Sequence, residues 1–199
     1  MVVVGVLSLQ GDFLEHMQLL SELRGVRALP VKSPRDLAGI DALIIPGGES
    51  TAIGSLMRVT GMDVAIADQA REGKPVMGTC AGAVLLAKKV VDRVVGETGQ
   101  PLLELMNIAI RRNAFGRQRE SFETEVFVEG IGTVRAVFIR APAIVEAWGD
   151  ARIVGYLDHP DIGKVGTVAI QNNVLAVTFH PEISGDTRLY EYMVSLVRK

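Results

Sequence analysis

The chain opens with a continuous apolar, largely β-branched run, Val2–Leu7, which predicts a strand buried on both faces. After Gly11 the period changes: Phe13, Leu14, Met17, Leu20 and Leu23 recur at helical spacing until Gly25. Val26–Val31 predicts a second strand, and Ser33-Pro34 pairs an N-cap residue with proline at the first position of a short helix. Ala42–Ile45 predicts a third strand, closed by Pro46-Gly47-Gly48. Helices are predicted over 50–59 and 64–71, and a fourth strand over 75–77. That strand leads through Gly78-Thr79-Cys80-Ala81-Gly82 into an apolar helix over 83–89.

Strands that alternate with crossover helices imply a parallel sheet covered on both faces. From about Met106 the texture changes, and short strands predominate at 108–111, 125–127, 134–139, 153–156, 165–170 and 174–179. They predict an antiparallel extension with a tight turn at Asn172-Asn173, and a helix over 187–197 follows.

A length of 199 residues suits a single domain, 1–199, with its own core. Hydrophobic residues at 48% and charged residues at 22% exclude a disordered chain. A formal net charge of −2 gives no reason to expect nucleic acid or an anionic membrane as partner. The basic cluster Arg111, Arg112, Arg117 and Arg119 is short and is answered by Glu120, Glu123 and Glu125. The N-terminal apolar run has no basic region before it and breaks at Ser8, too early for a signal peptide or a membrane span. The expectation is a soluble, cytoplasmic protein.

One cysteine can form neither an internal disulfide nor a Cys-rich zinc site. Its surroundings give it chemistry. Gly78-Thr79-Cys80-Ala81-Gly82 has the form of an elbow, in which a sharp strand-to-helix turn with small neighbours projects a nucleophile above the sheet. The helix N-terminus beside Cys80 favours the thiolate. A thiol nucleophile needs a base, and there are three histidines. His16 lies in the first helical pattern and reads as a surface or interface residue. His159 lies in the polar stretch Leu157-Asp158-His159-Pro160 and reads as solvated. His180 ends a strand, where it can meet Cys80, and Glu182 two residues on can orient its ring. Pro46-Gly47-Gly48-Glu49-Ser50-Thr51 can aim backbone N–H groups into the same crevice, and it lacks the lysine of a phosphate loop.

The elbow together with His180-Pro181-Glu182 resembles the class I (triad) glutamine amidotransferases. Further segments are similar to one branch, the glutaminase subunits of pyridoxal 5′-phosphate synthase. These are 5–13 with Glu15-His16, Pro46–Thr51, 112–118 and Phe138-Ile139-Arg140-Ala141-Pro142. The resemblance implies a flavodoxin-like α/β fold with a mostly parallel central sheet, helices on both faces and an antiparallel extension. It also implies a triad of Cys80, His180 and Glu182 and an oxyanion hole from the N–H groups of Gly48 and Ala81. Glutamine would be held by Gly47, Gly48, Glu49, Arg112, Ile139 and Arg140, with no metal and no cofactor. Ammonia would pass to a separate synthase subunit in a large hetero-oligomer, and Gln10 lies in the segment expected near that contact. Two other readings stand beside it. A stand-alone cysteine hydrolase or peptidase would share the elbow, and a non-catalytic regulatory subunit would share the fold but lack a triad member.

Overall fold

The computed structural model describes residues 1–92, 96–115, 121–160 and 162–197. In chain order it runs β1 (Val2–Leu7), α1 (Phe13–Ser21), β2 (Val26–Val31), a 3-10 helix (Pro34–Gly39), β3 (Ala42–Ile45), α2 (Ser50–Thr60), α3 (Met62–Arg71), β4 (Val76–Thr79) and α4 (Ala81–Leu86). There follow β5 (Ala87–Asp92), β6 (Gly96–Glu97), β7 (Met106–Arg112), β8 (Phe122–Val128), β9 (Gly132–Phe138), β10 (Ala143–Ala147), β11 (Arg152–His159), β12 (Gly163–Gln171) and β13 (Val174–Val177). Two helices, α5 (Pro181–Ser184) and α6 (Arg188–Ser195), come last.

The alternating first half forms the expected parallel sheet, in the order β2-β1-β3-β4, and β13, expected in the antiparallel extension, joins it instead in parallel beside β4. Successive side chains of a strand point to opposite faces, so each inner strand feeds two cores. In β3, Ala42 and Ile44 join Leu19, Leu20, Tyr190 and Met193 on one face. Leu43 and Ile45 join Ile53, Met57, Ile66 and Leu85 on the other. Helices α1 and α6 therefore cover one face, and α2, α3 and α4 the other. Burial of each such Leu or Ile stabilises the fold by roughly 1.5–3 kcal/mol. This order places the C-terminal ends of β1, β3, β4 and β13 side by side, where open α/β sheets bind ligands.

Beyond β13 the sheet turns antiparallel through β12, β10 and β7, and β11, β8 and β9 branch from β12. The extension departs from expectation elsewhere too. The helix expected over 83–89 stops at Leu86, and 87–92 is a strand paired in parallel with β7. A short apolar run cannot distinguish helix from strand, and a long-range partner decides it here. Strand β10 escapes the sequence pattern because a bulge between Ile144 and Glu146 breaks its alternation. Among the described residues, no helix is long and apolar enough to cross a membrane.

Candidate functional site

The hydrogen-bond ladder between β4 and β13 runs up to the elbow, where the Cys80 N–H donates to the Val177 carbonyl at 2.8 Å. There the chain turns sharply, with Cys80 at φ 46° and ψ −102°. A non-glycine residue in such a conformation costs about 1–3 kcal/mol and persists only where its surroundings over-determine it. Here α4 folds back so closely that a Cβ on Gly82 would lie 2.0 Å from the Ile45 carbonyl oxygen. Glycine is therefore required by the approach of α4 to β3.

His180 leaves the end of β13 and is fixed by its own N–H, which donates to the Val137 carbonyl of β9 at 2.8 Å. Its Nδ1 lies 2.5 Å from Glu182 Oε1, as the i, i+2 spacing led us to expect, and its ring also hydrogen-bonds Cys80. A second carboxylate accompanies Glu182: Asp12 Oδ2 is 3.0 Å from the same Nδ1. Burial opposes a charge on His180, but the hydrogen bonds to Asp12, Cys80 and Glu182 overcome it and push the imidazole up to about 12. Burial in turn pushes Glu182 up to about 7 against the pull of His180. Asp12 is also buried enough to be raised, yet His180 holds it below the usual carboxylate range.

His16 is no surface residue. It is fully buried behind Glu182, with Nε2 3.1 Å from Thr79 Oγ1 and 3.5 Å from Glu182 Oε2, and Nδ1 2.7 Å from the Tyr190 hydroxyl. Burial lowers it to about 4, so the ring is neutral. The acceptors around Nε2 place the proton there, and Nδ1 accepts from Tyr190. Its position midway between Phe13 and Leu20 in the helical period was the signal for burial. His159 also departs from expectation. It ends β11, half-buried, with its ring 5.3 Å from that of Phe115 and 5.8 Å from that of Phe122.

The loop after β3 forms the near wall of the site. Glu49 caps α2, its carboxylate accepting from the N–H groups of Thr51 at 3.0 Å and Ala52 at 2.7 Å, while its own N–H donates to Gln10 Oε1 at 3.0 Å. Burial raises Glu49, but these two N–H donors hold it below its usual value. Gly47 faces inward, and a Cβ there would meet His180 Cε1 at 2.6 Å.

Opposite stands a cationic wall from the antiparallel extension. Arg112 donates to Gln100 Oε1 at 2.6 Å and to Glu49 Oε1 at 3.3 Å. Gln100 lies outside every segment that carries the resemblance, and only the fold brings it to Arg112. Arg140 and Asn113, both with positive φ (44° and 52°), stand on the same wall with Ile139. The strained non-glycine residues Cys80, Asn113 and Arg140 thus converge on one cleft of about 450 Å³, with Gln10, Asp12, Gly48, Glu49, Ala81, Arg112, Ile139 and His180. Of the segment 112–118, Gly116, Arg117 and Gln118 lie outside the described residues, as do Arg119 and Glu120 of the basic cluster and its flank.

Asp12, His180 and Glu182 are also near enough to one another to suggest metal ligands. Both carboxylates, however, accept from Nδ1–H, which leaves that nitrogen no lone pair for a cation. The arrangement can transfer protons to and from a thiol and can bind a small zwitterion between Glu49 and the two arginines.

Solved structures place the fold in a known class. A crystal structure described as glutamine amidotransferase matches with a TM-score of 0.87 at 42% identity, covering 98% of each chain. PurLQS from Thermotoga maritima matches at a TM-score of 0.72 and 16% identity over 100% of each chain, a likeness of fold alone. Among curated proteins, pyridoxal 5′-phosphate synthase subunit PdxT of Hyperthermus butylicus is 57% identical over 198 residues, covering 100% of this chain and 98% of that one. The PdxT subunit of Aeropyrum pernix is 50% identical over 202 residues, covering 98% and 99%. The model of the SNO glutamine amidotransferase family matches residues 6–199, and the chain belongs to that family.

Proposed function

We propose that residues 1–199 act as one glutaminase domain, which hydrolyses L-glutamine to L-glutamate and ammonia and supplies the ammonia to a pyridoxal 5′-phosphate synthase subunit. The observation that carries the reading is the meeting of Cys80, His180 and Glu182 in the cleft that Arg112 and Arg140 line. Similarity to PdxT chains supports the choice of substrate and of partner.

In this mechanism His180 takes the Cys80 proton, and the sulfur attacks the carboxamide carbon of glutamine. The negative charge that develops on the amide oxygen is met by the N–H groups of Gly48 and Ala81, each such donor contributing about 3–4 kcal/mol. The C–N bond breaks as His180 returns the proton to the leaving nitrogen, and ammonia departs. Water then attacks the glutamyl thioester, with His180 accepting its proton. The sulfur leaves as glutamate is released and regains a proton from His180. Glu182 keeps the imidazole in the useful tautomer. Arg112 and Arg140 bind the α-carboxylate, a planar group suited to guanidinium, and Glu49 faces the α-ammonium. Gly47 and Ile139 complete the walls. Gln10, through its bond to the Glu49 N–H, links the segment expected at the synthase contact to the loop carrying Gly48.

The test is ammonia release from glutamine by the wild type and by Cys80→Ala, each with and without a synthase subunit. Activity that requires Cys80 and rises with the synthase is the expected result. Absence of glutamine turnover in every pairing would sink the reading.

A further inference from the structure

We propose that Asp12 is a positioning residue for this reaction: it is the charged counter-ion of the His180 imidazolium, beside Glu182, which fixes the orientation of the ring. The inference rests on the glutaminase reading above and adds a residue to it.

The first observation is what Asp12 does not do. It occupies the N-cap position of α1, where an aspartate ordinarily accepts from the exposed N–H groups of the first turn and stabilises the helix by about 1 kcal/mol. Its side chain makes no such bond. The carboxylate is turned instead into the cleft, with Oδ2 3.0 Å from His180 Nδ1. The turn after β1 is pressed against the loop after β3 to allow it. The Asp12 N–H donates to the Gly47 carbonyl at 3.4 Å, and a Cβ on Gly47 would lie 2.8 Å from Asp12 Oδ2.

The second observation is the contrast between the two acids on Nδ1. The Glu182 side chain is fully buried, and its outer oxygen Oε2, without a hydrogen-bond partner among the described residues, faces His16 Nε2. Asp12 remains 21% exposed, on the cleft side. A charge is easier to keep on the carboxylate that water can still reach. The directions agree: burial drives Glu182 toward its neutral form, whereas His180 outweighs burial at Asp12 and keeps it ionised. Facing this pair are Cys80 from the elbow, His16 of α1 and Tyr190 of α6. Arg112, Arg140 and Glu49 stand around the cleft. Of these, only the two carboxylates touch Nδ1.

The experiment is the rate of Cys80 alkylation by iodoacetamide between about pH 5 and about pH 9, read by mass spectrometry on the purified chain. Wild type, His180→Gln, Asp12→Asn, Asp12→Ala and Glu182→Ala are compared, each checked for folding by thermal melting. Loss of a counter-ion disfavours the imidazolium–thiolate pair, so Asp12→Asn should alkylate roughly tenfold more slowly near neutrality, with its profile moved to higher pH. Formate should restore the rate in Asp12→Ala, because the cleft admits a small carboxylate, and should not restore it in the sealed Glu182→Ala. Superposition of the Asp12→Asn and wild-type profiles, or no rescue by formate in a folded Asp12→Ala, overturns the role of Asp12. If wild type and His180→Gln react alike, the triad itself falls, a separate outcome.

Discussion

The parallel and antiparallel halves of the sheet contribute different things to one cleft. From the parallel half come Asp12, Gly48, Cys80 and His180, each just past the C-terminal end of a strand whose neighbours are all in register. Asp12 and Glu182 both lie at hydrogen-bonding distance from His180, and the ionisation of all three is displaced. From the antiparallel half come Arg112, Asn113, Ile139 and Arg140, at the ends of β7 and β9. Buried parallel strands can hold reacting groups within tenths of an ångström, whereas loops ending antiparallel strands can vary without disturbing the chemistry. On this view, chemistry and recognition divide along the sheet.

Substitutions can separate the two halves. The largest effect belongs to Cys80→Ala, which should lower the rate of ammonia release by roughly 10⁴-fold or more, as loss of a nucleophile does. Glutamine affinity, measured by calorimetry on the same variant, should stay within about threefold of wild type, because the recognition wall is intact.

Next is acid stability, set on the chemistry side by His16. In the unfolded chain this imidazole titrates near 6.5, whereas in the fold burial lowers it to about 4. Between those values the unfolded state binds the extra proton, so stability present above about pH 6.5 is lost toward pH 4, by about 3 kcal/mol. His180 acts in the opposite sense, since its raised affinity contributes below pH 6.5 and fades as pH rises toward about 12. Urea unfolding at both ends of the acid window, with His16→Gln beside the wild type, checks this. The variant should show a flatter dependence on pH.

On the recognition side, Arg112→Gln should raise KM by about 10- to 100-fold with kcat within a few fold, the loss of one charge-assisted pair. Equal falls in kcat and kcat/KM would instead place Arg112 with the chemistry and break the division.

The smallest effect is expected at Arg140, whose φ of 44° lies in the left-handed region. Arg140→Gly should raise stability by up to about 1 kcal/mol by relieving that conformation, while glutamine binding weakens. Urea midpoints and KM on one preparation read both effects. A stability loss would mean that Arg140 packs structurally.

By itself, the sequence determined what local physics can encode. The apolar runs and helical periods of the first half specify its strands and helices. Small residues around Cys80 specify an elbow, and the i, i+2 spacing of His180 and Glu182 specifies their contact. Each of these is a matter of neighbouring residues. Only the tertiary structure decided what depends on residues far apart. Residues 87–92 became a strand because β7 was there to pair with them. Gln100 came to Arg112 through the same extension. Asp12, which by position is an ordinary helix cap, became a partner of His180, and His16, whose burial the helical period signals, found its partners in Thr79 and Tyr190. No pattern within the first helix reports that the end of β13 will stand beside it, because that approach is fixed by the packing of the whole sheet.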